Sequence, residues 1–274
     1  MMNSSSPINN IVLITGASSG IGAKTAEFLA SKNFTVLLVA RREEKLKAIC
    51  DRIHQNHGRA YYYVADLTLE KDRNRLFSLI SEQSLLPNIL INNAGFAWYG
   101  YYSQMPWETV KSMIAVNLEA VVHLTSLFLP SMLSKKQGHI INVGSIAGKL
   151  PEQGIALYSA SKAFLDSFTS SVYRELRGSH VNISVVRAGP VKTELFDSAR
   201  EKRNGGSIPA EKLAIPVDTI ARSIWELIKR PKKVAYVPGY LFLSPLLEVF
   251  FSRIIDFAGP ILLKRSFNSR KITP

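Results

Sequence analysis

Apolar residues fall along this chain in two alternating kinds of run. Short, unbroken runs rich in β-branched residues read IVLIT at 11–15, TVLLVA at 35–40, AYYYVA at 60–65, ILIN at 89–92, HIINVG at 139–144 and NISVVR at 182–187, with a shorter KVAYV at 233–237. Between them, apolar residues recur at helical spacing over 23–32, 43–54, 69–82, 107–133, 158–177 and 217–229. Continuous rather than alternating apolarity is what a strand covered on both faces shows. Strand–helix alternation predicts right-handed βαβ units. The expected fold class is therefore α/β, a doubly wound parallel sheet of about seven strands with helices on both faces.

Two stretches break the pattern. Residues 192–216 contain RNGGS and are long for a loop within a compact domain, so a lid over the substrate is expected there. Residues 240–263, YLFLSPLLEVFFSRIIDFAGPILL, are strongly apolar and broken by Pro245, Gly259 and Pro260. Apolar positions nearly surround the helix this extension would form, which predicts burial against protein. The alternative is a membrane interface, since Arg253, Lys264, Arg265, Arg270 and Lys271 suit anionic headgroups, although Glu248 and Asp256 interrupt the apolar stretch. The whole of 1–274 is expected to be one domain, with its core at about 8–240 and an apolar extension over 240–274.

Composition narrows the class. The chain has 274 residues, 46% of them hydrophobic, enough for a substantial core. Net charge is +13, from 34 Lys and Arg against 21 Asp and Glu. That excess attracts anions: a phosphorylated cofactor, an acidic carrier protein or anionic lipid. No nucleic-acid motif accompanies the charge, so no nucleic-acid partner is expected. A single cysteine, Cys50, excludes an internal disulfide and suits a reducing compartment; it sits in a charged, helix-like stretch and is assigned no role. The start, MMNSSSPINN, lacks the apolar core of a signal peptide, and no uninterrupted apolar stretch of spanning length is found. The expected location is cytoplasmic, or peripheral to a membrane through 240–274. His54, His57, His123, His139 and His180 show no ligand spacing; each is read as a surface or strand-end residue, and no metal is expected.

The first strand runs into TGASSGIG, with Gly16, Gly20 and Gly22 spaced by Ser18, Ser19 and Ile21, and then into a helix. Such a turn presents bare backbone amides at the positive end of a helix, which suits a pyrophosphate. Placed after strand one, it marks a Rossmann-type dinucleotide site. The second strand ends in VARR. Arg41 and Arg42 stand where a 2′-phosphate would be gripped, which favours NADP(H) over NAD(H). Alternatively they only begin a charged helix.

YSASK at 158–162 puts Tyr158 and Lys162 one helical turn apart on one face. Taken in order, TGASSGIG, NNAG at 92–95, Asn117, Ser145 and YSASK resemble the short-chain dehydrogenase/reductase family, over about residues 8–240. The resemblance implies a single-domain Rossmann fold and a role for each matching position. Asp66 and Leu67 would contact adenine. Asn93, Ala94 and Gly95 would border the cofactor, and Asn117 would support a water relay to the lysine. Ser145, thirteen residues before Tyr158, matches the catalytic serine. AGPVKT at 188–193 matches P-G-x-V-x-T, so Pro190, Val191 and Thr193 would hold the nicotinamide amide. Two departures stand out: Ala188 replaces a proline, and Ser18 and Ser19 stand where many NADP-preferring members carry a basic residue.

The implied reaction is hydride transfer between nicotinamide and a carbonyl or secondary alcohol. Tyr158 would be the general acid and base, its pKa lowered from about 10 by the charge of Lys162. Ser145 would stabilise the substrate oxygen, and Lys162 would also hold the nicotinamide ribose. The aromatic loop FAWYGYYSQMP at 96–106 could wall an apolar substrate pocket, or pack as core or subunit contact. The resemblance implies a homodimer or homotetramer paired through 107–133 and 158–177. An apolar carbonyl or alcohol substrate is expected. The narrower reading is a 3-oxoacyl-carrier-protein reductase; the competing one is a non-catalytic dinucleotide-binding sensor.

Overall fold

The computed structural model describes residues 10–244, 246, 250, 252–254, 256 and 257. Seven strands form one all-parallel sheet: β1 (Ile11–Thr15), β2 (Thr35–Ala40), β3 (Arg59–Val64), β4 (Ile89–Asn92), β5 (Gly138–Ser145), β6 (Val181–Ala188) and β7 (Val234–Val237). Their spatial order is β3-β2-β1-β4-β5-β6-β7. The chain winds outward from β1 to β3 and then returns to build from the other side of β1. The order thus reverses between β1 and β4, and a crevice opens beyond their carboxyl ends.

Each central strand is buried on both faces. Val12 and Ile14 pack under α1 (Gly20–Ala30), α2 (Glu43–Gln55) and α8 (Val217–Lys229), through Leu29, Leu46, Ile53, Ile220 and Ile224. Ile11 and Leu13 point the other way, to α3 (Glu70–Glu82), α5 (Ala120–Ser134) and α6 (Ala156–Glu175), through Leu76, Leu124, Phe128 and Val172. The two-residue period of the strand divides its side chains between two cores. Cys50, assigned no role from the sequence, belongs to the first core; burial pushes its thiol up to about 11. His139, the second residue of β5, lies at a strand end as expected but is buried.

The expected helix over 107–133 is three pieces: α4 (Trp107–Ile114), a π turn at Ala115–Glu119, and α5. The amide of Ala120 donates to the carbonyl of Ala115, five residues back. Such wide turns mark functional positions in helices, and this one carries Asn117. The run Trp107–Ser134 is long and apolar enough to cross a membrane, although Lys111 and Glu119 interrupt it in sequence. Its inward residues Leu124 and Phe128 lie in the core beneath the sheet.

Two sequence expectations are corrected. Residues 192–216 are not an irregular loop: they contain α7 (Glu194–Glu201), which buries Phe196 and Ala199, and a 3₁₀ turn at Pro209–Leu213. The glycines of RNGGS masked a short amphipathic helix just before them. In the extension beyond 240, Ser244 is buried and Leu241 packs near Gly189, but most of the described apolar side chains are not covered by the protein. Tyr240, Phe242, Leu243, Leu246, Phe250, Ile254 and Phe257 are exposed. Arg253 is exposed too, while Lys264, Arg265, Arg270 and Lys271 lie outside the described residues.

Candidate active site

The cleft begins at the end of β1. Gly16 and Gly20 have φ of +64° and +54°, a region that penalises any side chain. Space is equally short: a Cβ on Gly16 would lie 2.8 Å from the Ala94 Cα, and one on Gly22 would lie 2.4 Å from the Gly16 carbonyl oxygen. The turn after β4 clamps this geometry. Asn93 Nδ2 donates to the Thr15 carbonyl at 2.9 Å, and the amides of Asn93 and Ala94 donate to Thr15 Oγ1 at 2.9 and 3.0 Å. Ser19 precedes α1 without capping it, and the first turn holds no acidic residue. The opening amides of α1 are therefore available to an anion. This cradle fits a dinucleotide pyrophosphate, with Gly16, Ser19, Gly20 and Ile21 at its surface and Gly22 packed behind.

Beyond β2, Arg41 and Arg42 line the same cleft. Arg42 Nη2 donates to Ser18 Oγ at 2.9 Å and Ser19 Oγ at 2.8 Å, and Arg42 Nη1 donates to Glu194 Oε2 at 2.7 Å. Arg41 is mostly exposed, 3.9 Å from Asp66 Oδ2. Asp66 and Leu67 follow β3. Asp66 Oδ1 accepts from the Thr68 amide and hydroxyl, and the Leu67 carbonyl accepts from Arg73 Nη1 at 2.6 Å. These bonds hold the corner without placing either residue on the cleft lining.

The candidate proton-transfer groups converge from β5 and α6. Ser145 ends β5; its Oγ accepts from the Ala147 amide at 3.1 Å and hydrogen-bonds the Tyr158 hydroxyl. Lys162 is buried, with Nζ donating to the Val143 carbonyl at 2.8 Å and lying 5.6 Å from the Tyr158 ring centroid. Burial pushes the Tyr158 phenol up to about 12, opposed by the Ser145 hydrogen bond. It pulls Lys162 down to about 8, opposed by the carboxylate of Asp166. Proximity to Lys162 alone predicts a lowered phenol pKa; burial acts in the opposite direction here, so Tyr158 stays protonated at neutral pH.

Asn117 is buried but is not bonded to Lys162. Its Nδ2 donates to the Phe96 carbonyl and to Ser161 Oγ, each at 3.1 Å, and its Oδ1 accepts from the Phe96 amide at 3.1 Å. The side chain ties the loop after β4 to α6. Gly95 passes close by: a Cβ there would lie 3.1 Å from Asn117 Oδ1 and 3.8 Å from Lys162 Nζ.

A cavity of about 390 Å³ joins these groups. Asn93, Ala94 and Gly95 form one wall, and Pro190, Val191 and Thr193 face them. Val191 pairs with Ile215 in an isolated parallel bridge. Ile146, Leu150, Ile155, Phe196 and Ile208 make much of the remaining lining apolar, with the carboxyl of Glu152 among them, its pKa raised by burial. Of the aromatic loop, Phe96 reaches the cavity, whereas Trp98 and Tyr99 are buried and Tyr102 is exposed. Trp98 Nε1 donates to the Arg203 carbonyl at 3.1 Å, and the Gly206 amide donates to the Tyr99 carbonyl at 2.7 Å. Most of that loop therefore anchors residues 203–206.

Four charged residues in or beside this site escape a sequence reading: Glu152 and Glu194 on the cleft lining, and Lys45 and Asp166 behind it. The only local signal is an acid directly after PVKT. Among the described residues, no group of His, Cys, Asp and Glu could hold a metal ion.

Comparison with known proteins matches residues 10–204 to the family model for short chain dehydrogenases. The NADP-dependent 3-hydroxy acid dehydrogenase YdfG of Shigella flexneri is 33% identical over 239 residues, spanning 82% of this chain and 91% of that protein. A short-chain dehydrogenase from Sphingobium yanoikuyae, solved in complex with NADPH, superposes with a TM-score of 0.77 at 29% identity, covering 93% of this chain and 95% of the other. A Burkholderia phymatum relative solved with NAD shares the fold, with a TM-score of 0.81 at 22% identity and coverage of 90% and 95%.

Proposed function

This chain belongs to the short-chain dehydrogenase/reductase family and is an oxidoreductase of CH–OH and C=O groups; from that premise we propose that it uses NADP(H) on an apolar ketone or secondary alcohol, with Tyr158 as general acid and base. The observation that carries the reading is the convergence of Ser145, a protonated Tyr158 and Lys162 in one cleft beside the glycine turn.

Bound NADPH would supply the hydride to the carbonyl carbon. Tyr158 donates its phenolic proton to the carbonyl oxygen, which becomes the alcohol hydroxyl. Ser145 donates a hydrogen bond to the same oxygen as negative charge develops on it. The phenolate left behind is stabilised by the ammonium of Lys162 and is reprotonated from solvent. In alcohol oxidation the same groups run in reverse.

The amides opening α1 would hold the pyrophosphate, and Arg41 and Arg42 the 2′-phosphate. Asp66 and Leu67 would flank adenine; Lys162 would hold the nicotinamide ribose; Pro190, Val191 and Thr193 would hold the carboxamide. Asn117 acts through the loop it ties down, which carries Gly95 against the cofactor's path. Residues 192–216 serve as the substrate lid, and the apolar part of the cavity lining favours a lipid-like, acyl or steroid-like substrate. A 3-oxoacyl thioester is the narrower candidate.

Exposed apolar residues on α5 (Val122, Leu133) and α6 (Phe164, Tyr173) support pairing of two copies through these helices. The exposed stripe of Leu246, Phe250, Ile254 and Phe257, spaced at helical intervals beside Arg253, supports peripheral attachment of a cytoplasmic enzyme to an anionic membrane.

The test is NADPH and NADH binding by fluorescence, followed by turnover on ketones and 3-oxoacyl thioesters, with Tyr158→Phe as control. Binding with turnover that vanishes in Tyr158→Phe supports the mechanism. Binding without turnover on a wide ketone and alcohol panel favours a sensor. Failure of the folded protein to bind either nucleotide sinks the reading.

A further inference from the structure

Glu194 closes the nucleotide cleft from the opposite side. It is the first residue of α7, directly after Thr193, whose Cγ2 would lie only 3.0 Å from a Cβ on Gly20. Both carboxylate oxygens are engaged: Oε2 accepts from Arg42 Nη1 at 2.7 Å, and Oε1 accepts from Lys45 Nζ at 2.6 Å. Three further donors of Arg42 go to the glycine turn, through Nη2 to Ser18 and Ser19 and Nε to Ser18 at 3.2 Å. Each guanidinium nitrogen thus already makes a hydrogen bond before any ligand arrives.

We propose that Glu194 is a cofactor-selecting clasp: its carboxylate holds Arg42, one of the cations assigned to the ribose 2′-phosphate, together with Lys45, so NADP(H) must displace it and NAD(H) need not. The inference rests on the assignment of Arg42 to the 2′-phosphate. A phosphate monoester carries more charge and more acceptor oxygens than a carboxylate and can meet a guanidinium with two parallel bonds, whereas Glu194 holds Arg42 by one, through Nη1. The two anions therefore compete for one place rather than occupying neighbouring ones.

The surrounding charge supports exchange rather than coexistence. Arg41 also lines the cleft, and Lys202, at the far end of α7, has its pKa lowered by burial and, to a lesser degree, by the Arg41 charge. Glu194 is the carboxylate that offsets this cluster at Arg42. Its neighbours hold it at about 2, so protonation does not release it at any ordinary pH; another anion must. The side chains of Arg42, Lys45 and Glu194 are 46%, 47% and 44% exposed, which keeps the clasp weak enough to open.

Opening the clasp also removes the side-chain tie between the start of α7 and the helix after β2, leaving the backbone bonds of Lys192 and Ile215 in place. The chain just beyond α7 stays fastened, through the Arg203 carbonyl to Trp98 and the Gly206 amide to Tyr99. A sequence-distant pair, Arg42 and Glu194, thus ties the nucleotide cleft to the lid.

The experiment measures dissociation constants of NADPH, NADH, 2′-AMP and 5′-AMP for the wild-type chain and Glu194→Gln. Removing the competing charge should tighten NADPH and 2′-AMP by roughly threefold to tenfold, with NADH and 5′-AMP changed less than about twofold. Unchanged or weaker 2′-AMP binding in Glu194→Gln overturns the proposal, since Glu194 would then orient Arg42 for the phosphate or stand apart from it. If Glu194→Gln does not fold, Glu194→Asp, one methylene shorter, should move the same constants in the same direction. The cofactor assignment is judged separately: a wild-type chain that binds NADH more tightly than NADPH sinks NADP(H) preference, while the clasp is judged on the ratio of variant to wild type for 2′-AMP.

Discussion

Lys162 and Asp166 lie one turn apart on α6, both buried, and neither satisfies its charge on the other alone. Lys162 Nζ donates to the Val143 carbonyl at 2.8 Å, while Asp166 Oδ1 accepts from Arg187 Nε at 2.8 Å. Lys149 Nζ lies 3.7 Å from the other Asp166 oxygen. The carboxylate opposes the desolvation that pulls Lys162 down to about 8. An ammonium with a pKa near 8 stays charged at neutral pH and loses its charge in mild base.

That relationship sets a pH limit on reduction. Catalysis needs a charged Lys162 to stabilise the phenolate, so kcat/KM for ketone reduction should hold below pH 8 and fall as pH rises through about 8. Asp166→Asn removes the favourable charge, so the descending limb should move to lower pH. A pH–rate profile of the two proteins checks this. An unmoved limb would mean that Asp166 serves only the Arg187 and Lys149 contacts.

Tyr158→Phe keeps the ring and removes the transferable proton. Turnover should fall about 10²- to 10⁴-fold, the usual worth of a placed general acid. Nucleotide affinity should stay within about threefold, because the phenol donates to substrate. Stopped-flow reduction alongside fluorescence titration separates the two effects. Substantial turnover in the variant would move the acid elsewhere.

His139 makes the folded state sensitive to acid. Its Nε2 lies 2.8 Å from Ser184 Oγ, and burial pulls its pKa from 6.5 to about 4. The unfolded chain takes up this proton near pH 6.5, whereas the folded chain resists until about pH 4. Stability should therefore be full above pH 6.5 and decline as pH falls toward 4, by up to about 3 kcal/mol from this group. Melting temperatures between pH 7 and 4.5 should drop less steeply in His139→Gln. Equal slopes would assign the acid sensitivity to the carboxylates.

The exposed stripe on the C-terminal extension makes a distinct forecast. The full chain should float with vesicles containing anionic phospholipid and less with neutral ones. Phe250→Ser combined with Phe257→Ser should abolish flotation while leaving nucleotide affinity intact. Flotation unaffected by both substitutions would place any membrane contact outside this stripe.

Much of the molecule is local in origin and was legible along the chain. Continuous apolar runs at 11–15 and 35–40 become sheet interior because a strand covered on both faces has no polar side to show. Gly16, Gly20 and Gly22 could be placed because a tight turn into a helix tolerates nothing larger there. Tyr158 and Lys162 share a face because a helix repeats every 3.6 residues. Other features depend on what folds against what. Glu194 meets Arg42 across 152 positions of chain, and no local pattern announces that pairing. α7 was hidden because its stability comes from burying Phe196 and Ala199 against distant elements, not from its eight residues alone. The burial that raises the Tyr158 pKa has no counterpart in the local sequence, where adjacency to a lysine is visible and desolvation is not. Spacing and side-chain type determined which groups could do chemistry here. Tertiary burial and long-range charge decided their protonation states and partners, since both are set by everything the fold packs around a group.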